Sequence, residues 1–325
     1  MRDLSVDYIA ASGPLRAVDA VSFQLRRGEI LGLAGESGSG KSTLLHALLR
    51  TLGPPGVITG GAVRLLGQDV LGLDERALRA LRWRRAAIVF QSAMDALNPV
   101  LTVGEQLVDT LVAHEPRIGK AARGRAAALL ELVGLEARHL GSFPHELSGG
   151  MRQRAVIAVA LALRPEVLLL DEPTTALDVV VERQILGEIL RLREELGFSV
   201  LFITHDLPLM LDLCDRVGVL YGGRLAELGP AEQIRRAAVH PYTRGLVAAF
   251  PSLDGPKSAL AGIPGTPPSL RALPPGCRFA PRCTVAEARC GVAPGPELVR
   301  VGEEHVAACV HAASPPPPGT PATTL

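Results

Sequence analysis

Short apolar segments separated by turn-forming residues recur along the first 95 residues of the chain. Segments of this length, bounded by glycine and polar residues, are typical of β-strands, whereas the stretch that begins at Lys41 repeats apolar residues at helical spacing. The predicted elements of this part are strands at 1–8, 20–25, 29–35 and 87–91 and a helix at 41–52. The order strand, loop, helix, strand predicts an α/β arrangement.

The middle of the chain changes to helical periodicity and then returns to strands. Between about 98 and 146, Val103, Leu107 and Leu111 fall on one face of a helix, which indicates a helical insert. Three apolar runs follow, with a helix at about 181–196 among them; the runs are 167–170, 199–203 and 216–221. Because these runs have no polar face, they predict parallel strands covered by helices on both sides of the sheet.

Composition and charge limit the classes of function. Of the 325 residues, 47% are hydrophobic and 21% are charged, which is ordinary for a globular protein. The formal net charge of +1 gives no overall field that would attract nucleic acid or anionic lipid. The apolar run at 155–163 is too short to span a bilayer, and the N-terminal residues lack the apolar core of a secretory signal. We therefore expect a cytosolic chain without a transmembrane helix.

Proline marks a change of composition towards the C-terminus. Sixteen of the 26 prolines lie between residues 241 and 321, which excludes long helices there. We therefore expect a main domain at 1–235, with its helical part at about 96–160, and an appended module at 236–325. The last ~12 residues, which include four consecutive prolines, are expected to be disordered with polyproline character.

A glycine-rich loop joins the strand predicted at 29–35 to the helix predicted at 41–52. Residues 35–42 read Gly-Glu-Ser-Gly-Ser-Gly-Lys-Ser, which matches G-x-x-x-x-G-K-[ST] in the strand–loop–helix context that this pattern requires. Backbone N–H groups of such a loop and the positive end of the helix dipole bind phosphate oxygens. Lys41 would reach the β- and γ-phosphates, and Ser42 would coordinate Mg²⁺. The predicted nucleotide ligands are Gly35, Ser37, Gly38, Ser39, Gly40, Lys41, Ser42 and Thr43.

Polar residues also follow three of the predicted strands, at the edge where parallel α/β proteins bind ligands. Asp171 would hold Mg²⁺, and Glu172 would polarise the attacking water as a general base. Gln91 would offer its amide oxygen to Mg²⁺ or to the water, and His205 would donate a hydrogen bond to the γ-phosphate. Taken alone, an acidic turn or a histidine at a strand end is an ordinary structural feature, and the phosphate loop is what favours catalysis.

The segment 147–154, Leu-Ser-Gly-Gly-Met-Arg-Gln-Arg, resembles the signature motif of the ABC ATPases. Gln91, the segment 176–178 and His205 occur in the order of the Q-loop, the D-loop and the switch histidine of that family, an order that a P-loop GTPase or kinase would not explain. The resemblance covers residues 1 to about 250. It implies an α/β fold with a P-loop (RecA-like) ABC ATPase core and a helical signature subdomain, followed in this chain by a small Cys/Pro-rich C-terminal extension.

The resemblance assigns further roles. In this family the signature of one subunit closes over ATP that is bound to the phosphate loop of another, and Glu172 marks a half-site competent in hydrolysis. Tyr8 stands 33 residues before Lys41, where the family places an aromatic residue on adenine, with Val18 nearby; the alternative for Tyr8 is a core aromatic. The other residues expected to contact nucleotide are Ser148, Gly149, Gly150, Gln153 and Asp178.

Other segments look like the oligopeptide/dipeptide import subfamily; they are 97–99, 143–146, 240–244, 263–268 and 276–283. That resemblance implies an ATPase at the cytoplasmic face of the membrane. It implies as partners a second, homologous ATPase subunit in a heterodimer, two transmembrane permeases and an extracytoplasmic solute-binding protein. Peptide is the cargo by resemblance, with nickel or oligosaccharide as alternatives. A soluble ABC ATPase outside transport would carry a coiled-coil insert or tandem ATPase domains, and neither is visible.

Four of the five cysteines cluster near the C-terminus, and their spacing is C-x5-C-x6-C-x18-C; they are Cys277, Cys283, Cys290 and Cys309. Four thiolates suit an iron–sulfur cluster or a tetrahedral zinc ion, and the lack of a C-x2-C pair argues against a zinc ribbon. Because some members of the subfamily carry a [4Fe–4S] cluster on such cysteines, the resemblance favours the cluster, with zinc or free cysteines as alternatives. Cys214 is expected to be a buried apolar residue.

Overall fold

The computed structural model describes residues 1–91, 96–175, 177–249 and 262–312. The strands are β1 (Arg2–Ala10), β2 (Gly13–Val21), β3 (Ile30–Ala34), β4 (Gly56–Ala62), β5 (Arg64–Leu65), β6 (Gln68–Asp69), β7 (Ala86–Val89), β8 (Val167–Asp171), β9 (Ser199–Ile203), β10 (Arg216–Tyr221), β11 (Arg224–Pro230), β12 (Val299–Gly302) and β13 (His305–Ala307). The helices are α1 (Lys41–Leu48), α2 (Glu75–Leu81), α3 (Val103–His114), α4 (Ala121–Leu132), α5 (Gly149–Leu161), α6 (Val179–Leu196), α7 (Leu207–Leu213), α8 (Ala231–Ala237) and α9 (Pro241–Ala248).

Contacts between residues divide the chain into two compact units, and each unit draws on separate stretches of sequence. Unit 1 comprises Met1–Gln24, Ile30–Arg64 and the described part of Ile203–Leu325. Unit 2 comprises Leu25–Glu29 and the described part of Leu65–Phe202. The phosphate loop therefore belongs to unit 1, and the acidic pair and the signature segment belong to unit 2.

Unit 1 contains two groups of strands. In the first, β1 pairs antiparallel with β2 on one side and with β4 on the other. In the second, the order is β12-β13-β11-β10-β3; β10 and β3 run parallel, and the other neighbours are antiparallel. Every residue of β3 and β10 is buried, and Leu44 and Leu45 of α1 are fully enclosed. Burial of this apolar surface fixes β3 and α1, and thus both ends of the loop between them.

Unit 2 combines parallel strands with helices. Its strands follow the order β9-β8-β7, and the buried strand β8 pairs in parallel with β7. Val103, Leu107 and Leu111 of α3 are fully buried, which confirms the single apolar face predicted for this helix. A capping box between Thr102 and Glu105 starts the helix. The indole N–H of Trp83, which is 36% exposed, donates to the carbonyl of Val159 in α5 at 2.8 Å.

Several predicted boundaries are corrected by the structure. The strand predicted at 20–25 is wrong from residue 22 onward, because the true strand β2 lies earlier and closes a hairpin with β1. The helix predicted at 41–52 ends at Leu48, shortly before Gly53-Pro54-Pro55. Asp178 caps α6, which therefore starts slightly before the predicted position, and Gly197, at a φ of 73°, ends it.

The proline-rich part beyond α9 forms only short elements where it is described. Within residues 262–312 these are two 3₁₀ turns and the hairpin of β12 and β13. The tail from Ser314, predicted to be disordered, lies outside the described residues. Among the described helices, none has the length and apolar character needed to cross a membrane.

Candidate functional site

The phosphate loop of unit 1 has a backbone that only glycine adopts readily. Gly35, Gly38 and Gly40 have φ values of 149°, 76° and 99°. A Cβ at Gly35 would overlap the carbonyl oxygen of Leu220, and one at Gly40 would overlap the carbonyl oxygen of Ala17. A Cβ at Gly38 would instead meet open space, because no described residue beyond its chain neighbours comes within 4 Å of that position. The loop is thus closely packed at both ends and open in the middle, as a phosphate cradle requires.

Lys41 begins α1, and its side chain reaches back to the start of this loop. Its side chain is buried, and its Nζ donates to the carbonyl oxygens of Gly35 at 2.7 Å and Glu36 at 3.0 Å and to Oγ of Ser39 at 3.4 Å. The N-cap residue of α1 is Gly40, which offers no side-chain cap, and the helix begins at Lys41 and continues through Ser42 and Thr43. The loop thus joins a cation to the N-terminus of a helix, and both favour an anion.

The two residues predicted to contact adenine lie beside the loop. Tyr8 is half-buried on β1, and its hydroxyl lies 3.0 Å from the hydroxyl of Thr43 in α1. Val18 on β2 is fully buried, and its Cγ2 is 3.5 Å from the position that a Cβ of Gly40 would occupy. Both side chains therefore adjoin the phosphate loop within unit 1. The exposed Ser37 also lies on this loop, and the exposed His205, which follows β9 in the sequence, belongs to unit 1.

Unit 2 brings the predicted catalytic residues Gln91 and Glu172 together, although 81 positions separate them in the sequence. Oε2 of Glu172 accepts hydrogen bonds from Nε2 of Gln91 and from the hydroxyl of Thr175, both at 3.1 Å. Glu172 has a φ of 46°, a sparsely populated backbone conformation for a residue with a side chain. Asp171, at the end of β8, is 1% exposed. The turn after β8 thus presents one carboxylate held by two donors and a second one that is enclosed.

The signature segment forms the predicted helix start in unit 2. Oγ of Ser148 accepts a hydrogen bond from the N–H of Met151 at 3.3 Å and so caps α5. Gly149 and Gly150 form the first turn of α5, and a Cβ at Gly150 would come within 2.7 Å of Val181. A larger residue at this turn would therefore displace the side chain of Val181.

Two other residues predicted to contact nucleotide occupy structural positions in unit 2. Gln153 is only 2% exposed, and its buried Nε2 has no hydrogen-bond partner among the described residues. Oδ1 of Asp178 accepts from the N–H groups of Val180 and Val181 and caps α6. Of the D-loop, Ala176 lies outside the described residues. Asp178 thus anchors the end of this loop, and Gln153 lies inside the unit.

The four C-terminal cysteines converge in unit 1. The N–H of Cys277 donates to the carbonyl of Cys290 at 2.7 Å. Burial raises the pKa of the Cys277 thiol, and the neighbouring Cys290 and Cys309 raise it further. Burial also raises the pKa of Cys283, and Cys290 adds to that effect. In the part of the chain that the structure describes, however, no three His, Cys, Asp or Glu side chains are arranged to hold a metal ion. The predicted cluster is therefore not confirmed.

Three contacts at these sites were not predicted from the sequence. Thr175 donates to Glu172, Tyr242 accepts from the N–H of Glu36 at 2.9 Å, and Arg282 forms an ion pair with the Glu36 carboxylate at 2.7 Å. Tyr242 and Arg282 lie in segments that were used only to infer the resemblance to a subfamily, and their contacts with the phosphate loop were not expected. Cys214, 7% exposed, is a buried apolar residue as predicted.

Comparison with known proteins places these features in a family. The chain matches the family model of the ABC transporter at residues 18–175, and that of the oligopeptide/dipeptide transporter C-terminal region at residues 226–290. Among solved structures, the ATP-binding cassette MJ0796 bound to ADP and Pi is similar with a TM-score of 0.64 and 30% identity, covering 71% of this chain and 97% of that one. The shared fold is that of an ABC ATPase.

Curated relatives are similar over most of the chain. It is 46% identical to the putative peptide import ATP-binding protein of Brucella abortus, covering 92% of this chain and 91% of that protein. It is 43% identical to the oligopeptide transport ATP-binding protein OppD of Salmonella typhimurium, with coverages of 93% and 90%. It is 45% identical to OppD of Mycobacterium bovis, and the match covers 95% of this chain. The chain nevertheless spans only about half (51%) of the length of the mycobacterial relatives. The chain belongs to the ATP-binding subunits of ABC transporters, in the oligopeptide/dipeptide group.

Proposed function

We propose that the chain binds and hydrolyses ATP to power an ABC importer for peptides. The observation that carries this proposal is the phosphate loop, in which three glycines have positive φ and the side chain of the buried Lys41 donates to the carbonyl of Gly35. The names of the relatives, which describe peptide import and oligopeptide transport, support the cargo. The match at residues 226–290 supports the same group of transporters.

The residues of each unit suggest a division of chemical tasks. In unit 1, Lys41 and the N–H groups at the start of α1 would bind the phosphates, and the open space at Gly38 lets a phosphate approach the backbone. The hydroxyl of Ser42 and the carboxylate of Asp171 are the oxygen donors that Mg²⁺ prefers. When bound, Mg²⁺ would neutralise charge that develops on the phosphates.

Glu172 is the proposed general base. Its Oε2 accepts hydrogen bonds from Gln91 and Thr175, which hold the carboxylate that we assign to the attacking water. His205 would donate a hydrogen bond to the γ-phosphate. Ser148, Gly149 and Gly150 would contact ATP bound to a second, homologous ATPase subunit, as in the family.

The proposed assembly places the chain at the cytoplasmic face of a membrane as a peripheral subunit. Its partners would be the second ATPase subunit in a heterodimer, two permeases and an extracytoplasmic solute-binding protein. Closure of the two ATPase subunits around ATP would drive the permeases, and hydrolysis would reset them. The family to which the chain belongs and the names of its relatives support this assembly.

Two substitutions test the proposed chemistry separately. Lys41→Ala is expected to abolish binding of a fluorescent ATP analogue, because the loop loses its only side-chain cation. Glu172→Gln should bind the analogue normally and lower kcat by about 10²–10⁴-fold, the range for loss of a general base.

Lys120→Ala is the matched control, because this exposed lysine precedes α4 and lies far from the loop in sequence. Normal turnover in Glu172→Gln would contradict the assignment of the base. Undiminished nucleotide binding in Lys41→Ala would contradict the proposed function itself.

The [4Fe–4S] cluster stays a prediction of the family resemblance. The four thiols converge, but the described residues present no ready ligand set, and burial disfavours the thiolate forms of Cys277, Cys283 and Cys309. Anaerobic purification with metal analysis and absorption spectroscopy tests the prediction. About four irons per chain and a broad band near 400 nm would establish the cluster. Colourless protein with one zinc ion or no metal would exclude it and leave the ATPase assignment intact.

A further inference from the structure

Glu36, the second residue of the phosphate loop, is held through its backbone and its side chain. Its N–H donates to the hydroxyl of Tyr242 at 2.9 Å, and its carbonyl accepts from Nζ of Lys41 at 3.0 Å. Its carboxylate accepts two hydrogen bonds from Arg282, from Nη1 at 2.7 Å and from Nη2 at 3.0 Å. Of these partners, Tyr242 and Arg282 come from the C-terminal third of the chain.

Arg282 is itself fixed in place. The residue is 7% exposed and ends the 3₁₀ turn Ala280–Arg282. Its guanidinium also donates to the hydroxyl of Tyr221 at 3.2 Å and to the carbonyl of Pro264 at 2.8 Å. A planar guanidinium with this many partners has little freedom to rotate. Its two-point contact with Glu36 therefore transmits the position of the C-terminal region to the loop.

An aromatic cluster supports the same contact. The ring centroids of Tyr221 and Tyr242 are 4.5 Å apart, and that of Phe279 lies 5.2 Å from Tyr221 and 5.4 Å from Tyr242. The guanidinium carbon of Arg282 lies 5.8 Å from the centroid of Tyr221. Tyr242 and Arg282, the two residues that bond Glu36, thus pack against the same rings.

The C-terminal region also forms a wall beside the loop. A cavity of about 200 Å³ is lined by the loop residues from Glu36 to Ser39 and, among others, by Pro267, Pro268 and Leu270. Segments distant in sequence thus meet at the loop where phosphate is expected to bind.

We propose that Arg282 is a positioning residue for ATP binding, which acts through Glu36 to hold the phosphate loop in its binding shape. This inference rests on the proposed function, since it concerns the same loop. A loop with three glycines loses much conformational entropy when it orders around a ligand. An anchor that orders one end beforehand removes part of that cost from the binding equilibrium. The C-terminal region is then a component of the nucleotide site rather than an appendage.

The test uses the purified full-length chain and the variants Arg282→Lys, Arg282→Gln and Glu36→Gln. A pre-ordering role predicts that Arg282→Gln raises the KM for ATP and the dissociation constant of a fluorescent ATP analogue about tenfold, with kcat within about twofold. Arg282→Lys keeps the charge without the two-point geometry and should fall in between. In the Glu36→Gln background, Arg282→Gln should add less than about twofold, because the two residues act as one unit.

Thermal unfolding separates positioning from mere stabilisation. A positioning role predicts that adding MgATP raises the unfolding temperature less in Arg282→Gln than in the wild type. This holds whatever the unfolding temperatures of the two proteins are without nucleotide. Arg289→Gln is the matched control, since its exposed pair with Glu287 lies in the same region.

An Arg282→Gln protein that is folded and keeps the wild-type KM and the wild-type MgATP increment would overturn the proposal. If that variant does not fold, a wild-type KM in Arg282→Lys would overturn it equally. Failure of the wild-type chain to bind ATP would instead remove the proposed function, so the two failures are distinguishable.

Discussion

The phosphate loop and the C-terminal cysteine region belong to the same unit but are shaped by different kinds of contact. The loop takes its form mainly from its own backbone, through glycines with positive φ and the bonds from Lys41 to carbonyls five and six positions away. The cysteine region depends on partners distant in sequence. Its strand β13 pairs with β11, and Nε2 of His305 is hydrogen-bonded to Oε1 of Glu227, 78 positions away, at 2.7 Å.

This difference teaches where each region is vulnerable. A short motif whose shape depends on its own glycines fails when one of them changes, because contacts from the rest of the chain, such as those at Glu36, do not supply a backbone with positive φ. A region assembled from distant partners fails when the buried groups that join it to the core change. The following predictions test the two modes separately.

The largest effect is expected from Gly40→Ala. The new Cβ would overlap the carbonyl oxygen of Ala17 at a φ of 99°, so the loop could not keep its shape. We expect the affinity for a fluorescent ATP analogue to fall by more than about 100-fold, because the aligned N–H groups would be lost. Equilibrium titration measures this.

Gly13→Ala is the control for Gly40→Ala. Gly13 has a comparable φ of 109° in the hairpin of β1 and β2, but a Cβ there would have no described residue within 4 Å apart from its chain neighbours. This variant should lose about 1–2 kcal/mol of stability and bind nucleotide normally. Equal loss of affinity in both variants would show that the local shape of the loop is not the cause.

An intermediate effect is expected from Glu227→Gln, which tests the join between the core and the cysteine region. Glu227 is fully buried and also accepts hydrogen bonds from the N–H groups of Val239 and His240. The substitution leaves these donors and His305 without their charged partner. We expect the free energy of unfolding to fall by about 3 kcal/mol at neutral pH, as measured by denaturant titration.

The stability lost in Glu227→Gln is also expected to depend on pH. Burial by itself raises the pKa of Glu227, but the hydrogen bonds from His305 and from the N–H groups of Val239 and His240 outweigh burial and hold the pKa below its usual range. A lowered pKa in the folded state contributes stability above the pKa of the unfolded chain, and this is lost as the pH falls through the folded pKa. The difference between wild type and Glu227→Gln should therefore shrink on acidification. The exposed Glu232→Gln is the control, and a difference that stays constant into the acidic range would contradict the prediction.

The smallest effect concerns the reactivity of the thiols. Burial raises the pKa of Cys214, and the neighbouring Asp215 raises it further, so this thiol should react most slowly with iodoacetamide. The half-buried Cys277 and Cys283 should be labelled before the buried Cys290 and Cys309 in metal-free protein. Mass spectrometry of timed samples gives the order. Labelling of Cys214 as fast as Cys283 would show that the unit opens more readily than its packing indicates.

How well each feature could be predicted from the sequence also depends on whether its contacts are local or join residues distant in the chain. Apolar runs predicted β8, β9 and β10 well, because buried parallel strands have no polar face to confuse the pattern. The strand β2 was misplaced, since its pairing with β1 is decided by a hairpin. The bond between Arg282 and Glu36 joins residues 246 positions apart and has no periodic signature. Gln91 and Glu172 were associated beforehand because each follows a predicted strand at the same edge of the sheet and because the family's motifs occur in that order.

The single tryptophan of the sequence gives unit 2 an optical reporter of its own. The Trp83 indole is bonded to α5, the helix that the signature segment begins, and its ring centroid is 6.0 Å from that of His114. A partly exposed indole changes its emission when its polar partner or its solvent contact changes. Since the phosphate loop lies in the other unit, a change in Trp83 emission on adding ATP to the unlabelled wild-type chain would record the response of the signature helix to nucleotide.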